Sequence, residues 1–186
     1  MSRSPFSRIV VSQSRNGLVR RSFFLAPLAW VWPARAQPAI PPSLLEHAVK
    51  LLAGLIQSAR EVAIGNGVKP MPSRIHTALL GFFPDAILRK VRYASGQADA
   101  ITIPGLAMTY GHIDAVTLVD VILFRDDRAA QADAKLWAHE LTHVMQYERW
   151  GIDGFARRYL QDYEAVEREA RDNADRYATW SEHAHL

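Results

Sequence analysis

The sequence predicts an α+β fold, mostly helical, with a small sheet beside one helix. Three observations carry that prediction. Apolar residues recur at helical spacing over long stretches, separated by Gly and Pro. Two β-branched apolar runs, Ala115–Val119 and Val121–Phe124, read as one bent strand or two. Directly after them comes the best-marked helix, built around Leu136-Trp137-Ala138-His139-Glu140-Leu141-Thr142-His143-Val144-Met145.

The chain in order begins with an unusual charge distribution. The 186 residues carry a net charge of +3. Six arginines fall in residues 1–36, which hold no Asp, Glu or Lys; without them, 16 basic residues face 19 acidic ones, a balance of −3. The basicity therefore belongs to the N-terminus. No basic, aromatic-interleaved face remains to suggest a nucleic-acid partner.

Residues 1–36 read as an export signal. Arg20-Arg21 closes a positive region, and Ser22–Trp32 is an eleven-residue, mostly apolar run. Pro33-Ala34-Arg35-Ala36 then supplies a small-residue cleavage site, with Gln37 as the new N-terminus. The run is too short to span a bilayer as a helix. Arg20-Arg21-Ser22-Phe23-Phe24-Leu25 resembles a twin-arginine signal, although translation starting after Met1 is an alternative account of the long leader. The expected location is periplasmic or secreted, with no membrane insertion after the signal is removed. Residues 37–186 are enough for one ordinary domain. With no cysteine, a disulfide scaffold and a thiolate metal site are excluded.

Ser43-Leu44-Leu45-Glu46 reads as a capping box. The helix it starts should run to about Val62, with Leu45, Ala48, Leu52, Leu55, Ile56 and Ala59 inward, and stop at Gly65-Asn66-Gly67. A shorter helix should span Pro72-Ser73 to Leu80, broken by Gly81 and Pro84, with another turn over Asp85–Lys90. Val91–Tyr93 suggests a short strand and Ala94–Ile101 a loop; Ile101–Tyr110 carries Pro104 and Gly105 and is left unassigned. Arg125-Asp126-Asp127 ends the β-branched runs, and Ala132 or Asp133 opens the central helix. Gly151 should end it. A connection, helical from Gly154, then leads to a last helix over Leu160–Trp180 and a fraying tail with His183 and His185.

His139 and His143 stand four apart, so they share one helix face and can present two imidazoles to one metal ion. Glu140, a quarter-turn away, can reach a water on that metal as general base. Trp137, Leu141 and Val144 lie on the opposite side and give the helix a core to pack on. Three protein ligands plus water make a hydrolytic zinc site. The last helix offers Glu164, Glu167 and Glu169. Measured against the stripe Tyr163, Val166, Ala170, Ala174 and Tyr177, Glu167 points inward. A buried carboxylate needs a partner, and a metal supplies one. The alternatives are a salt bridge from Glu167 to Arg157, or Glu164 as the ligand. His112 and Tyr163 are candidates for oxyanion stabilisation. The strand before the helix can also offer its edge to a peptide, with a plain core strand as the alternative.

His139-Glu-x-x-His143 followed by Glu167-Arg168-Glu169-Ala170 resembles the gluzincin pattern, except that Arg171 stands where several such families carry Asp. The strands and the central helix, within residues 72–178, resemble the eCIS core domain family, which is linked to extracellular contractile injection systems. That resemblance implies a zincin-like fold, zinc on His139 and His143, and a catalytic Glu140; it implies no particular substrate. Three functions are therefore expected to compete: a zinc hydrolase acting on a peptide or protein, a non-catalytic zinc-containing accessory module, and a metal-free helical core.

Overall fold

The structure, a computed structural model, describes residues 41–96 and 114–184. The chain divides into two units, Met1–Gln37 and Pro38–Leu186, and the second carries every element below. The export signal, His112, His185, residues 97–101 and the Ile101–Tyr110 stretch lie outside the described residues.

The expected α+β architecture is observed. Five helices surround a four-stranded mixed sheet among the described residues. Helix α1 spans Pro42–Asn66 and ends at Gly67, whose φ of 98° suits glycine. The expected capping box is not formed. Pro41 is the cap, Pro42 takes the first helical position, where a missing N–H costs nothing, and Ser43 is already inside the helix. Glu46 instead accepts two bonds from Arg157, at 2.6 and 2.7 Å. The buried stripe of α1 is Leu45, Val49, Ala53, Ile56 and Ala63, a slight rotation from the expected face that leaves Ala48, Leu52, Leu55 and Ala59 on its flanks.

Strand β1 (Lys69–Pro70) was not anticipated from two residues; helices α2 (Ser73–Leu79) and α3 (Asp85–Lys90) lie where expected. Strand β2 spans Arg92–Ser95, so Ala94 and Ser95 are strand rather than loop. The β-branched runs form two strands, β3 (Ala115–Leu118) and β4 (Val121–Phe124), joined at Val119-Asp120. The sheet order is β1-β2-β4-β3, with β2 and β4 parallel and β3 and β4 antiparallel, Leu118 opposite Val121. Every residue of β4 is buried, because helices cover both faces. Ile122 and Phe124 meet Trp137, Leu141 and Val144 on one face; Val121 and Leu123 meet Ile56 and Ala63 of α1 on the other. Arg60 of α1 grips Asp120 at 2.6 and 3.0 Å and pins α1 to the hairpin turn. Burial pushes the Asp120 carboxyl up, but the Arg60 contacts outweigh it and hold it below its ordinary value.

Residues 127–132 form a separate helix, α4 (Asp127–Ala132), in a stretch where the sequence suggests no element between the end of the β-branched run at Asp127 and the start of the central helix at Ala132 or Asp133. Asp126 caps it by accepting from the Ala129 N–H, and Asp133 caps the next helix by accepting from Leu136 N–H, both at 2.8 Å. That next helix, α5, spans Ala134–Ala184 and is broken at Gly151 and Asp162 into segments 134–150, 152–161 and 163–184. The final segment thus starts three residues later than expected, because Asp162 leaves helical geometry and caps it through the Ala165 N–H. Residues 181–184 are helical rather than frayed, with the His183 ring bonded to Thr179 O. No helix among the described residues is long and apolar enough to cross a membrane.

Gly151 has φ 67° and ψ 173°, a region that only glycine occupies readily. A Cβ there meets nothing within 4 Å, so a side chain would cost backbone strain alone. Gly151→Ala is expected to lower stability by about 1–3 kcal/mol. Chemical denaturation of both proteins checks this; an unchanged midpoint would show that the turn tolerates a side chain.

Candidate metal centre

The first segment of α5 buries Trp137, Leu141 and Val144 at 0–1 % exposure. Its histidines therefore turn the other way, into a cleft. Their rings meet edge to face, 4.9 Å between centroids, and their Nε2 atoms are 3.2 Å apart. The breaks at Gly151 and Asp162 return the chain so that segment 163–184 lies against segment 134–150. Glu167 then faces the histidines: Oε2 is 3.4 Å from His139 Nε2, and Oε1 is 3.6 Å from His143 Nε2.

These spacings test the fit to a metal. Corners of a tetrahedron around an ion at ~2.0–2.1 Å lie ~3.3–3.4 Å apart. The two Nε2 atoms, 3.2 Å apart, match that edge; Glu167 approaches them with a different oxygen each, and one ligand atom from each of the three residues lies within 4.8 Å of the others. His139, His143 and Glu167 can hold a metal ion.

The partners of His143 set its tautomer. The Gln146 amide nitrogen donates to Val166 O at 3.1 Å and to Glu169 Oε2 at 3.0 Å, so its oxygen is the end facing His143. His143 Nδ1 donates to that oxygen at 2.8 Å, which leaves Nε2 with its lone pair toward the cleft. The same amide ties the histidine segment to the glutamate segment. Asn173 adds a second tie by donating to Thr142 Oγ1 at 2.7 Å, and Arg149 a third by donating to Glu169 at 2.6 Å.

Charge follows this geometry. Burial pushes the Glu167 carboxyl up, but hydrogen bonding to both imidazoles outweighs it and holds the group far below the ordinary carboxylate range. Burial pushes the His143 imidazole down, yet Glu167 and the Glu140 charge raise it above its ordinary value. These groups form an ion pair when an imidazole is protonated. The depressed Glu167 contributes stability above its ordinary 4.5, lost as pH falls through the depressed value; the raised His143 contributes below its ordinary 6.5, lost as pH rises through the raised one.

Glu140 is 4 % exposed on the wall of the same cleft. Thr117 of β3 donates to its Oε2 at 2.7 Å. Tyr147 stands behind, its hydroxyl 3.5 Å from Thr117 O. Burial first, then the Glu140 charge, pushes its phenol up, so it stays protonated. The cleft encloses about 520 Å³ between α1, β3 and α5.

The alternatives to Glu167 are placed elsewhere. Glu164 is exposed and paired with Arg171; Glu169 accepts from Arg149 and Gln146; Arg157 is engaged by Glu46. Tyr163 packs on Tyr159 and is not part of the cleft lining. Gln146 and Thr117 were missed. Gln146 had a signal in its i+3 position after His143; Thr117 had none, because only strand packing brings it to Glu140.

Residues 70–151 match the family model described as the eCIS core domain. The match is shorter than the expected 72–178: it includes His139, Glu140 and His143 and stops before Glu167. Neither the curated proteins nor the solved structures contain a match to the chain.

Gln146→Leu is expected to weaken metal binding about 10–100-fold, read by competition with a chromophoric chelator; unchanged affinity would remove Gln146 from the site. Metal loading should also release protons below neutral pH, since a ligand imidazole must be neutral. Calorimetry in buffers of different ionisation enthalpy measures the count, which should fall as pH rises through the raised His143 value.

Proposed function

We propose that the protein is a zinc-dependent metallohydrolase, most simply a peptidase, exported by its first 36 residues and acting on a peptide or protein. The observation carrying this reading is the ligand triangle with the Glu140 carboxylate on the wall of the same cleft. Two imidazoles and one carboxylate gathered within 4.8 Å of one another suit zinc. When bound, the ion supplies Lewis acidity to a water and to the substrate carbonyl. Glu140 takes a proton from the attacking water and returns it to the leaving amine. Thr117 holds Oε2, so Oε1 is the oxygen that handles the proton. Strand β3, at the edge of the described sheet, offers backbone groups to an extended peptide.

A non-catalytic zinc module is the second reading. The buried Thr117–Glu140 bond favours it, because that bond also joins sheet to helix and gives Glu140 a structural task.

One set of measurements separates these readings. The mature chain should carry about one zinc ion, as catalytic sites of this type do, and Glu167→Ala should lose it. Glu140→Gln should keep the metal and lose at least about 100-fold in peptide hydrolysis. Full activity in Glu140→Gln would sink the general-base assignment, and no zinc in the native chain would sink the metal site. Mass analysis of the exported protein should find Gln37 at its N-terminus.

A further inference from the structure

The cleft differs on its two sides of the ligand triangle. Beyond His139 its lining carries the charged Asp133, Lys135, Arg171 and Asp175 among Leu136 and Ala174. Beyond His143 it is apolar. Leu52 and Ile56 of α1, Leu118 of β3, and Tyr147, Phe155 and Tyr159 of α5 converge there. The aromatic residues form a continuous wall: Phe155 stacks on Tyr147 at 3.9 Å and 22°, and on Tyr159 at 5.7 Å and 21°. The wall starts at the candidate metal centre, since the His143 ring meets Phe155 edge-on at 6.1 Å. A charged group placed among these side chains would lose hydration without gaining a partner, whereas an apolar one gains in proportion to the area it buries.

We propose that the apolar half is a specificity pocket for one bulky apolar side chain, aromatic or branched aliphatic, of an extended peptide lying along β3. This rests on the hydrolase reading for the position of the cleaved bond, but binding can be measured without cleavage. A peptide is the occupant because the pocket is continuous with both the edge strand and the ligand triangle, so a backbone paired on β3 can place one side chain in it.

The test uses the zinc-loaded chain, native and Glu140→Gln, with acetyl-Gly-Gly-Phe-Gly-Gly-amide and its Ala and Asp counterparts. Calorimetry should find the Phe peptide bound about ten-fold or more tighter than the Ala peptide, and the Asp peptide weakest. Leu52 is half-buried at the pocket. Leu52→Trp should fill the pocket and remove the Phe preference while the zinc content is retained. Should that variant misfold, Leu52→Ala should move the preference from Phe toward Trp. Equal binding of all three peptides, no binding of any, or a preference for Asp overturns the pocket. Decanoate bound more tightly than the Phe peptide also overturns it, in favour of an acyl-chain site. Binding of the Phe peptide with no cleavage by the native chain overturns the hydrolase reading and leaves the pocket standing.

Discussion

The candidate site depends on one long helix being broken twice. Without the turns at Gly151 and Asp162, residues 134–184 would form a rod and Glu167 would stand far from both histidines. Gly151 reverses the chain by adopting a backbone conformation that other residues resist. Asp162 starts the return segment and satisfies one of its free amides. Three polar ties then hold the returning segment in register, and the Gln146 amide is the most consequential. It holds a histidine tautomer with one end and the backbone beside Glu167 with the other.

This arrangement explains why a metal suits the centre. Three ligand groups gathered in a partly buried space carry a desolvation cost, which their mutual contacts offset and which a bound cation would offset in the same way. The same contacts that depress Glu167 and raise His143 in the metal-free protein preorganise the lone pairs a cation would use. Stability and binding are thereby linked: proton and metal compete for one set of atoms.

The sheet serves the cleft rather than forming a separate layer of function. Central β4 is buried on both faces and fixes β3 beside the histidine segment. Through Thr117, β3 sets the orientation of the Glu140 carboxylate. The Arg60–Asp120 pair then holds α1 over the hairpin, so that α1 closes the apolar half of the cleft. Wall, carboxylate and ligand triangle thus come from elements far apart in the chain.

Much of this was legible in the residues alone. Helical spacing placed His139, His143 and Glu140 on one face, and the stripe through Val166 and Ala170 marked Glu167 as the inward acid, because both arguments use periodicity within one segment. Local signals failed where a neighbour supplied the better partner. Ser43 and Glu46 spell a capping box, but Pro42 begins the helix earlier and Arg157 takes the carboxylate. Ala94 and Ser95 look like loop until β4 supplies the parallel pairing. The sequence alone therefore determined which side chains of the histidine and glutamate segments face inward, although it placed the buried stripe of α1 on a rotated face. Only the tertiary structure decided which of them meet, since the angle of a chain reversal and the register of one segment on another are set by packing between residues distant in sequence.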